Sequence, residues 1–303
     1  MRWRKLGLVF RPDVTQPWSR SHAMLPTPIL LDDATLRVYF SSRDAEGRAR
    51  PGFVELDPRH PTRVRRGPVG PLLDLGDPGA FDQDGVVATS IVRDGTEWRL
   101  YYAGFENGTR VPYRLLTGLA VSRDAESFVR VRRTPVLERS DHESLFRCGS
   151  FVATTGSGYR MWYCAGSEWT SVGGKQRPVY DLRIGDSGDG VSWPPEGRGC
   201  LALTDPDEHG FGRPWIVRDP DRYRLFFSVR CRSKAAYRLG YAESTDGVEW
   251  QRRSMGLDVS ETGWDANAIA YSAVIDAGGE RLCFYNGDEF GREGFGVAVL
   301  ERD

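Results

Sequence analysis

The chain has 303 residues, with 41 basic and 42 acidic side chains and a formal net charge of −1. This balance excludes a protein that holds nucleic acid or an anionic membrane surface by bulk charge. No apolar run reaches the roughly 18 residues of a membrane span. The first residues, MRWRKLGLVFRPD, lack the long apolar stretch and cleavage site of a signal peptide. We therefore expect a cytoplasmic protein whose partner is a small molecule.

Cysteine and glycine patterns argue against bound metals and nucleotide cofactors. The five cysteines form no CxxC pair, and an odd number cannot complete a disulfide framework, so buried free thiols are expected. Neither a contiguous calcium loop nor a glycine-rich phosphate loop is present. The sequence thus predicts no metal and no cofactor.

A strand pattern recurs along the chain about every sixty residues. In chain order the copies are LRVYFSSR from Leu36, WRLYYAGF from Trp98, YRMWYCAG from Tyr159, YRLFFSVR from Tyr223 and RLCFYNGD from Arg281. A run that ends in a turn precedes each copy, as in TPILLDD and TSIVRDG. Most copies are followed by a third strand with a Ser-x-Asp turn, as in GLAVSRD, RIGDSGDG and GYAESTDG, and then by a fourth strand.

Five units of four short strands predict an all-β fold, a five-bladed β-propeller of antiparallel blades that occupies residues 1–303 as a single domain. A two-sheet sandwich is the alternative. The last unit stops after its third strand, and the amino-terminal RWRKLGLVF resembles the fourth-strand runs of other units. We therefore expect the amino-terminal strand to complete the last blade and close the ring.

Polar side chains lie just before first strands and just after second strands, positions that meet at one end of the channel in a propeller. This geometry predicts a pocket, because crowded charges are costly unless they are paired or bind a ligand. Solvated loop residues are the alternative. The predicted substrate-binding residues are His22, Arg43, Glu106, Arg147, Glu168, Trp169, Arg213, Arg230, Asn267, Tyr271, Asn286 and Asp288.

The chain resembles the five-bladed glycoside hydrolases of the arabinanase, levansucrase and invertase superfamily, of family 43 and 32 type. The resemblance rests on the five units, on the motif FDQDGVVATSIV that opens the second unit and on YNGDEFGREGFGVAV, which closes the chain. This resemblance implies a hydrolase with three carboxylates around the channel. They would be Asp84 and Asp265, as base or orienting groups, and Glu143, as general acid.

The sequence departs from this family in the first unit, where SHAMLPTPI offers His22 in place of the expected aspartate. Either a different carboxylate serves as the base, or His22 takes that role, or the protein catalyses a different reaction. The tripeptide Arg218, Asp219 and Pro220 matches an invertase motif, but the repeat register puts it in a turn away from the site.

Three functions are therefore compatible with the sequence. The first is a glycosidase acting on a small glycoside or sugar conjugate. This substrate would be anionic if the predicted arginines bind a carboxylate or phosphate group on it. The second is a biosynthetic enzyme that uses the propeller for cyclisation, elimination or group transfer. The third is a carbohydrate-binding propeller without catalysis.

Overall fold

A computed structural model of the chain describes residues 1–234 and 236–301, which form strands with almost no helix. In chain order the elements are β1 (Trp3–Phe10), β2 (Ser21–Asp32), β3 (Thr35–Arg43), β4 (Ala49–Asp57), β5 (His60–Val69), β6 (Gly85–Asp94), β7 (Glu97–Asn107), β8 (Tyr113–Ser122), β9 (Val129–Arg130), β10 (Phe146–Thr155), β11 (Gly158–Val172), β12 (Lys175–Ser187), β13 (Arg198–Leu201), β14 (Glu208–Arg218), β15 (Tyr223–Cys231), β16 (Tyr237–Ser244), β17 (Gln251–Arg253), β18 (Ala270–Ala277), β19 (Glu280–Asn286), α1 (Asp288–Gly291) and β20 (Phe295–Leu300). The all-β class predicted from the sequence is confirmed.

The chain forms two compact units. Unit 1 comprises Met1–Leu72, Trp215–Ser228 and the described part of Ala236–Asp303. It contains the antiparallel meander β2-β3-β4-β5 and a four-stranded sheet in the order β1-β20-β19-β18. The predicted pairing of the amino-terminal strand with the last strand is confirmed, since Trp3 lies opposite Leu300.

Unit 2 comprises Leu73–Pro214 and the described part of Val229–Ala235. It contains two complete antiparallel meanders, β6-β7-β8-β9 and β10-β11-β12-β13. Strands β14 and β15 contribute residues to both units.

Each unit has an apolar core supplied by the inward faces of its strands. In unit 1, Phe10, Phe40 and Phe295 meet with ring centroids 4.8–6.0 Å apart. In unit 2, Val92 and Leu119 pack with Val152 and Met161 across the two meanders. Burial of such side chains contributes roughly 1.5–3 kcal/mol each, which makes these faces the main source of stability.

The Ser-x-Asp signals form the turns that the sequence predicts. In the turns at Ser122, Ser187 and Ser244, the serine hydroxyl donates to the aspartate two residues later at 2.7, 3.0 and 2.8 Å. Each aspartate also accepts backbone N–H groups of the same turn. These hydrogen bonds hold the pKa of the three aspartates below its usual range.

β-Bulges interrupt four strands that each begin an antiparallel meander, β2, β6, β10 and β18. The bulges lie between Met24 and Thr27, Ala88 and Ser90, Cys148 and Phe151, and Ala270 and Ala273. At three of them a residue has positive φ: Leu25 (53°), Gly149 (63°) and Tyr271 (58°). Bulges re-aim side chains and are common next to binding sites.

Cys148 and Cys164 lie directly opposite each other on β10 and β11 and carry free, buried thiols. Burial raises the pKa of both, and that of Cys164 reaches about 12. Thiols with so high a pKa are unreactive.

Among the described residues, no helix is long and apolar enough to cross a membrane.

Gly104 on β7 allows close packing of the residues that precede β6. A Cβ atom there would lie 2.5 Å from the Phe81 ring and 2.8 Å from Cβ of Asp82. We expect Gly104→Ala to lower the free energy of unfolding by about 1–3 kcal/mol, as overpacking does. Urea unfolding checks this against Gly199→Ala, where an added Cβ meets nothing within 4 Å. Equal stability of the two variants would contradict the expectation.

Candidate functional site

Buried carboxylates precede β6, β10 and β18, and each accepts a hydrogen bond from a tyrosine 20 residues later on the next strand. The pairs are Asp82 with Tyr102 and Glu143 with Tyr163 in unit 2, and Asp265 with Tyr285 in unit 1. Burial, with the neighbouring carboxylate, raises the pKa of all three tyrosines, so they stay protonated and donate. A cation completes each group: Arg130, Arg147 and Lys5, respectively.

Glu143, the predicted general acid, is 0% exposed. Its two oxygens accept from the Tyr163 hydroxyl at 2.9 and 2.8 Å, and one also accepts from the backbone N–H of Gly197 at 2.8 Å. It forms an ion pair with Arg147, and Nη1 of Arg183 lies 3.7 Å away. The carboxylate thus ties β10 to β11 and to the segment before β13. Its catalytic role stays a prediction.

Arg147, a predicted substrate ligand, is 2% exposed and bonds only within the protein. It donates to the Glu138 and Pro194 carbonyls at 2.6 and 2.9 Å, besides pairing with Glu143. These contacts engage the Arg147 guanidinium with groups of the protein. Its role as a substrate ligand stays a prediction.

Asp265 is 2% exposed and accepts from Nζ of Lys5 at 2.6 Å and from the Tyr285 hydroxyl at 3.1 Å. Because Lys5 lies on β1 and Tyr285 on β19, this carboxylate ties together strands of one sheet. Its catalytic role also stays a prediction.

Asp84 differs from the other two predicted catalytic carboxylates because it is only partly buried. Within the described part of the chain its side chain makes one hydrogen bond, accepted from the Asn107 backbone N–H at 2.8 Å. Its carboxylate therefore has acceptor positions left for a ligand. The neighbouring Glu106 pairs with Arg114 at 3.3 Å.

A cavity of about 290 Å³ lies in unit 2 between the middle parts of β11 and β12 and residues 202–203. Two carboxyl groups, Glu168 and Asp181, are among its lining residues, together with Arg183. Glu168 is exposed to solvent and Asp181 is partly buried. Burial raises the pKa of Asp181, and repulsion from Glu143 adds to this, although hydrogen bonds from Arg183 at 3.1–3.2 Å oppose it.

Other predicted ligands of unit 2 are held by neighbouring rings or buried. Trp169 packs edge-on against Phe146, with centroids 5.2 Å apart. The Arg230 guanidinium lies 5.2 Å from the centroid of the Tyr180 ring. Arg213 is 2% exposed with a φ of 39°, a conformation that bulky residues rarely adopt.

Two predicted ligands of unit 1 bond to each other, and a third is enclosed. Asp288 accepts from the backbone and side-chain nitrogens of Asn267 at 2.9 and 2.6 Å. Asn286 is 0% exposed, accepts from Leu25 N–H at 2.8 Å and donates to the carbonyls of Ala23 and Gly294. Asn286 thus fixes β2 next to β19, and these hydrogen bonds leave its side-chain amide few free positions to bond a sugar hydroxyl.

His22, Arg43 and Tyr271 lie at the start of β2, the end of β3 and the start of β18, all in unit 1. Arg43 is paired across the strands with Ser21, the neighbour of His22, and interacts electrostatically with His22 and with Tyr271, so we call the three residues a cluster. The ring Nδ1 of His22 lies 2.9 Å from the Ser21 hydroxyl. Burial, helped by the positive charges of Arg43 and Arg292, lowers the pKa of His22 to about 4. The imidazole is therefore neutral near pH 7.

The lowered pKa of His22 predicts that the free energy of unfolding decreases as the pH falls. Unfolded His22 takes up a proton near pH 6.5 and the folded side chain only near pH 4, so the contribution of His22 is fully present above 6.5 and falls as the pH drops through this window. Allowing for solvent screening, we expect a loss on the order of 1–2 kcal/mol by pH 4.

Urea unfolding of the wild type and of His22→Asn across pH 4–7 measures this loss as a difference. Asparagine tolerates the positive φ of 63° at this position. Parallel pH profiles of the two proteins would contradict the assignment.

Asp181 is the residue of this site that the sequence reasoning missed. It lies on a third strand, whereas the predicted pocket comprises only positions before first strands and after second strands. The alternation of Asp181 and Arg183 in VYDLRIG, which puts both on one strand face, was the available signal.

No protein-family model matches the chain. Solved glycoside hydrolases share its fold. A structure described as a glycoside hydrolase has a TM-score of 0.78 at 19% identity and covers 99% of this chain and 92% of its own. A thermostable family-43 glycoside hydrolase has a TM-score of 0.68 at 14% identity, covering 93% and 91%. The chain therefore has the fold of the family-43 type glycoside hydrolases, as the sequence resemblance indicated.

The Uncharacterized protein Rv1502 of Mycobacterium tuberculosis is 37% identical over 303 residues, which are 99% of this chain and 100% of the mycobacterial protein. The chain belongs to the same family as this mycobacterial protein.

Proposed function

We propose that the protein is a glycosidase-like hydrolase, built as a five-bladed propeller, that cleaves a small glycoside or sugar conjugate. Asp181 is the general acid and Glu168 the second carboxylate. The observation that carries this is the pair of carboxyl groups in one cavity, of which the less exposed, Asp181, has a raised pKa.

Glycoside hydrolysis needs one carboxyl group that carries a proton and a second one that is ionised. A protonated carboxyl gives its proton to the glycosidic oxygen as the bond to the anomeric carbon breaks. The other carboxylate either removes a proton from the attacking water or attacks the anomeric carbon itself. Environments that push two carboxyl groups apart in pKa assign these roles.

Size and electrostatics also fit a small substrate. The cavity volume of about 290 Å³ lies at the low end of the roughly 300–1,000 Å³ of small-molecule sites and suits one sugar ring. Arg183, which donates to Asp181, also lies close to Glu143. The buried Glu143 group thereby supports the cavity wall without being open to the substrate.

A panel of aryl glycosides tests this function, with release of the phenol as the readout. The proposal expects turnover of at least one glycoside by the wild type. Binding of sugars without turnover would favour a carbohydrate-binding propeller. Neither binding nor cleavage of any glycoside would favour the non-hydrolytic biosynthetic enzyme. Asp84→Asn belongs in the same panel, because its carboxylate is accessible and its predicted catalytic role is untested.

A further inference from the structure

The cluster of His22, Arg43 and Tyr271 in unit 1 contains a cation with no counter-charge. Arg43 is partly buried, and burial lowers its pKa. Among residues 1–234 and 236–301, no carboxylate lies within ion-pair distance of its guanidinium. Other partly buried arginines do have such a partner, for example Arg50 with Asp44 and Arg281 with Asp219. A desolvated guanidinium of this kind is poised for an anion from outside the chain.

Backbone strain is concentrated around this cation. Seven non-glycine residues of the described chain have positive φ, and four of them are in or next to the cluster: His22, Tyr271, Glu289 and Phe290. A residue with a side chain keeps this conformation only where neighbouring contacts enforce it. Here the Tyr271 backbone N–H donates to the Ser228 hydroxyl at 2.7 Å, and the His22 N–H donates to the Arg292 carbonyl at 3.1 Å.

Aromatic rings adjoin the cluster. Tyr237 packs against Tyr271 with centroids 5.4 Å apart and against Phe290 at 5.8 Å. Phe290 is 41% exposed, which is unusual for so large an apolar side chain in this protein. An apolar surface next to a cation suits a ligand that has both a hydrophobic ring face and an anionic group.

We propose that His22, Arg43 and Tyr271 form an oxyanion-binding site that takes the phosphate or carboxylate group of a sugar ligand. The guanidinium fork of Arg43 donates to two oxygens of the anion. His22, neutral and held beside the Ser21 hydroxyl, supplies a polar ring without a competing charge. Glu289 is the nearby acid, and it is engaged by Arg292 at 2.8 Å, so it does not neutralise Arg43.

Calorimetric titration of the full chain tests this site with four probes: inorganic phosphate, glucose 6-phosphate, glucuronate and neutral glucose. We expect at least one anionic probe to bind, and Arg43→Gln to weaken that binding at least about tenfold. Arg43→Lys should retain part of the affinity, because it keeps the charge and loses the fork. Neutral glucose should bind at least about tenfold more weakly than its anionic counterpart.

The matched control is Arg63→Gln, which removes the same charge from an exposed position on β5 of the same unit. It should leave the affinity unchanged. Preference for glucose 6-phosphate identifies a phosphate ligand, and preference for glucuronate a carboxylate ligand. Equal affinity of wild type and Arg43→Gln for every anion, or no anion binding by a folded wild type, would overturn the site. Binding is measured without turnover, so this failure is distinguishable from failure of the proposed hydrolysis.

Discussion

Asp181→Asn is expected to lower kcat/KM for glycoside hydrolysis by about 10²–10⁴-fold, the usual contribution of a general acid. Asparagine has nearly the same shape as aspartic acid but no proton to give to the leaving oxygen. The loss should appear in kcat, because the proton moves only in the transition state. Steady-state kinetics with an aryl glycoside that has a poor leaving group and is cleaved by the wild type measures it.

Asp186→Asn is the matched control for this change. Asp186 lies on the same strand, β12, is solvent-exposed and pairs with Arg160 at 2.6 Å and with the exposed Arg198 at 2.7 Å. An exposed ion pair contributes little, so turnover and stability should both stay near wild type. Similar kinetics of Asp181→Asn and Asp186→Asn would rule out Asp181 as the acid.

Glu143→Gln is expected to lower the free energy of unfolding by about 3–5 kcal/mol, the cost of breaking a buried ion pair from one side. Glutamine has nearly the same size as glutamate but no charge. The Arg147 side chain, only 3% exposed, would then be a buried cation without its counter-charge. Denaturant unfolding followed by tryptophan fluorescence gives the value.

The control for the buried pair is Glu138→Gln, which removes a carboxylate that is 57% exposed and pairs with Arg139 at 3.5 Å. Its effect should stay within about 0.5 kcal/mol. If Glu143→Gln were as stable as the wild type and yet inactive, Glu143 would be catalytic, as the family resemblance implies. A strong loss of stability instead supports its role in tying strands together.

The strands and turns of this fold are readable from sequence because their signals are local. The hydroxyl of Ser122 and the carboxylate of Asp124 form their turn within three residues, so the Ser-x-Asp pattern after a third strand predicts it from local sequence. The amino-terminal strand was predictable for a related reason, since Trp3–Phe10 carries the pattern of a fourth strand. The bulges were not predictable, because they depend on the neighbouring strand.

The site is harder to predict because a carboxylate's role depends on partners that are distant in sequence. Asp84 and Glu143 both precede a first strand, although the residue that matches Glu143 in the repeat is Asp82, which also lies 20 residues before its tyrosine. Asp84 meets one backbone N–H, whereas Glu143 meets Tyr163, Arg147 and the distant Gly197. The residues next to each carboxylate in the sequence do not reveal these distant partners. Asp181 was hidden for the same reason, since its raised pKa arises from burial and from Glu143, 38 residues earlier in the sequence.

The ratio of kcat/KM for aryl glycosides with good and poor leaving groups, measured for the wild type and Asp181→Asn, tests the proposed hydrolysis most directly. A poor leaving group needs the proton that Asp181 supplies, whereas a good one departs without it. The proposal predicts that Asp181→Asn loses far more activity toward the poor leaving group than toward the good one. An equal loss toward both, or no loss toward either, would contradict Asp181 as the acid of a glycosidase.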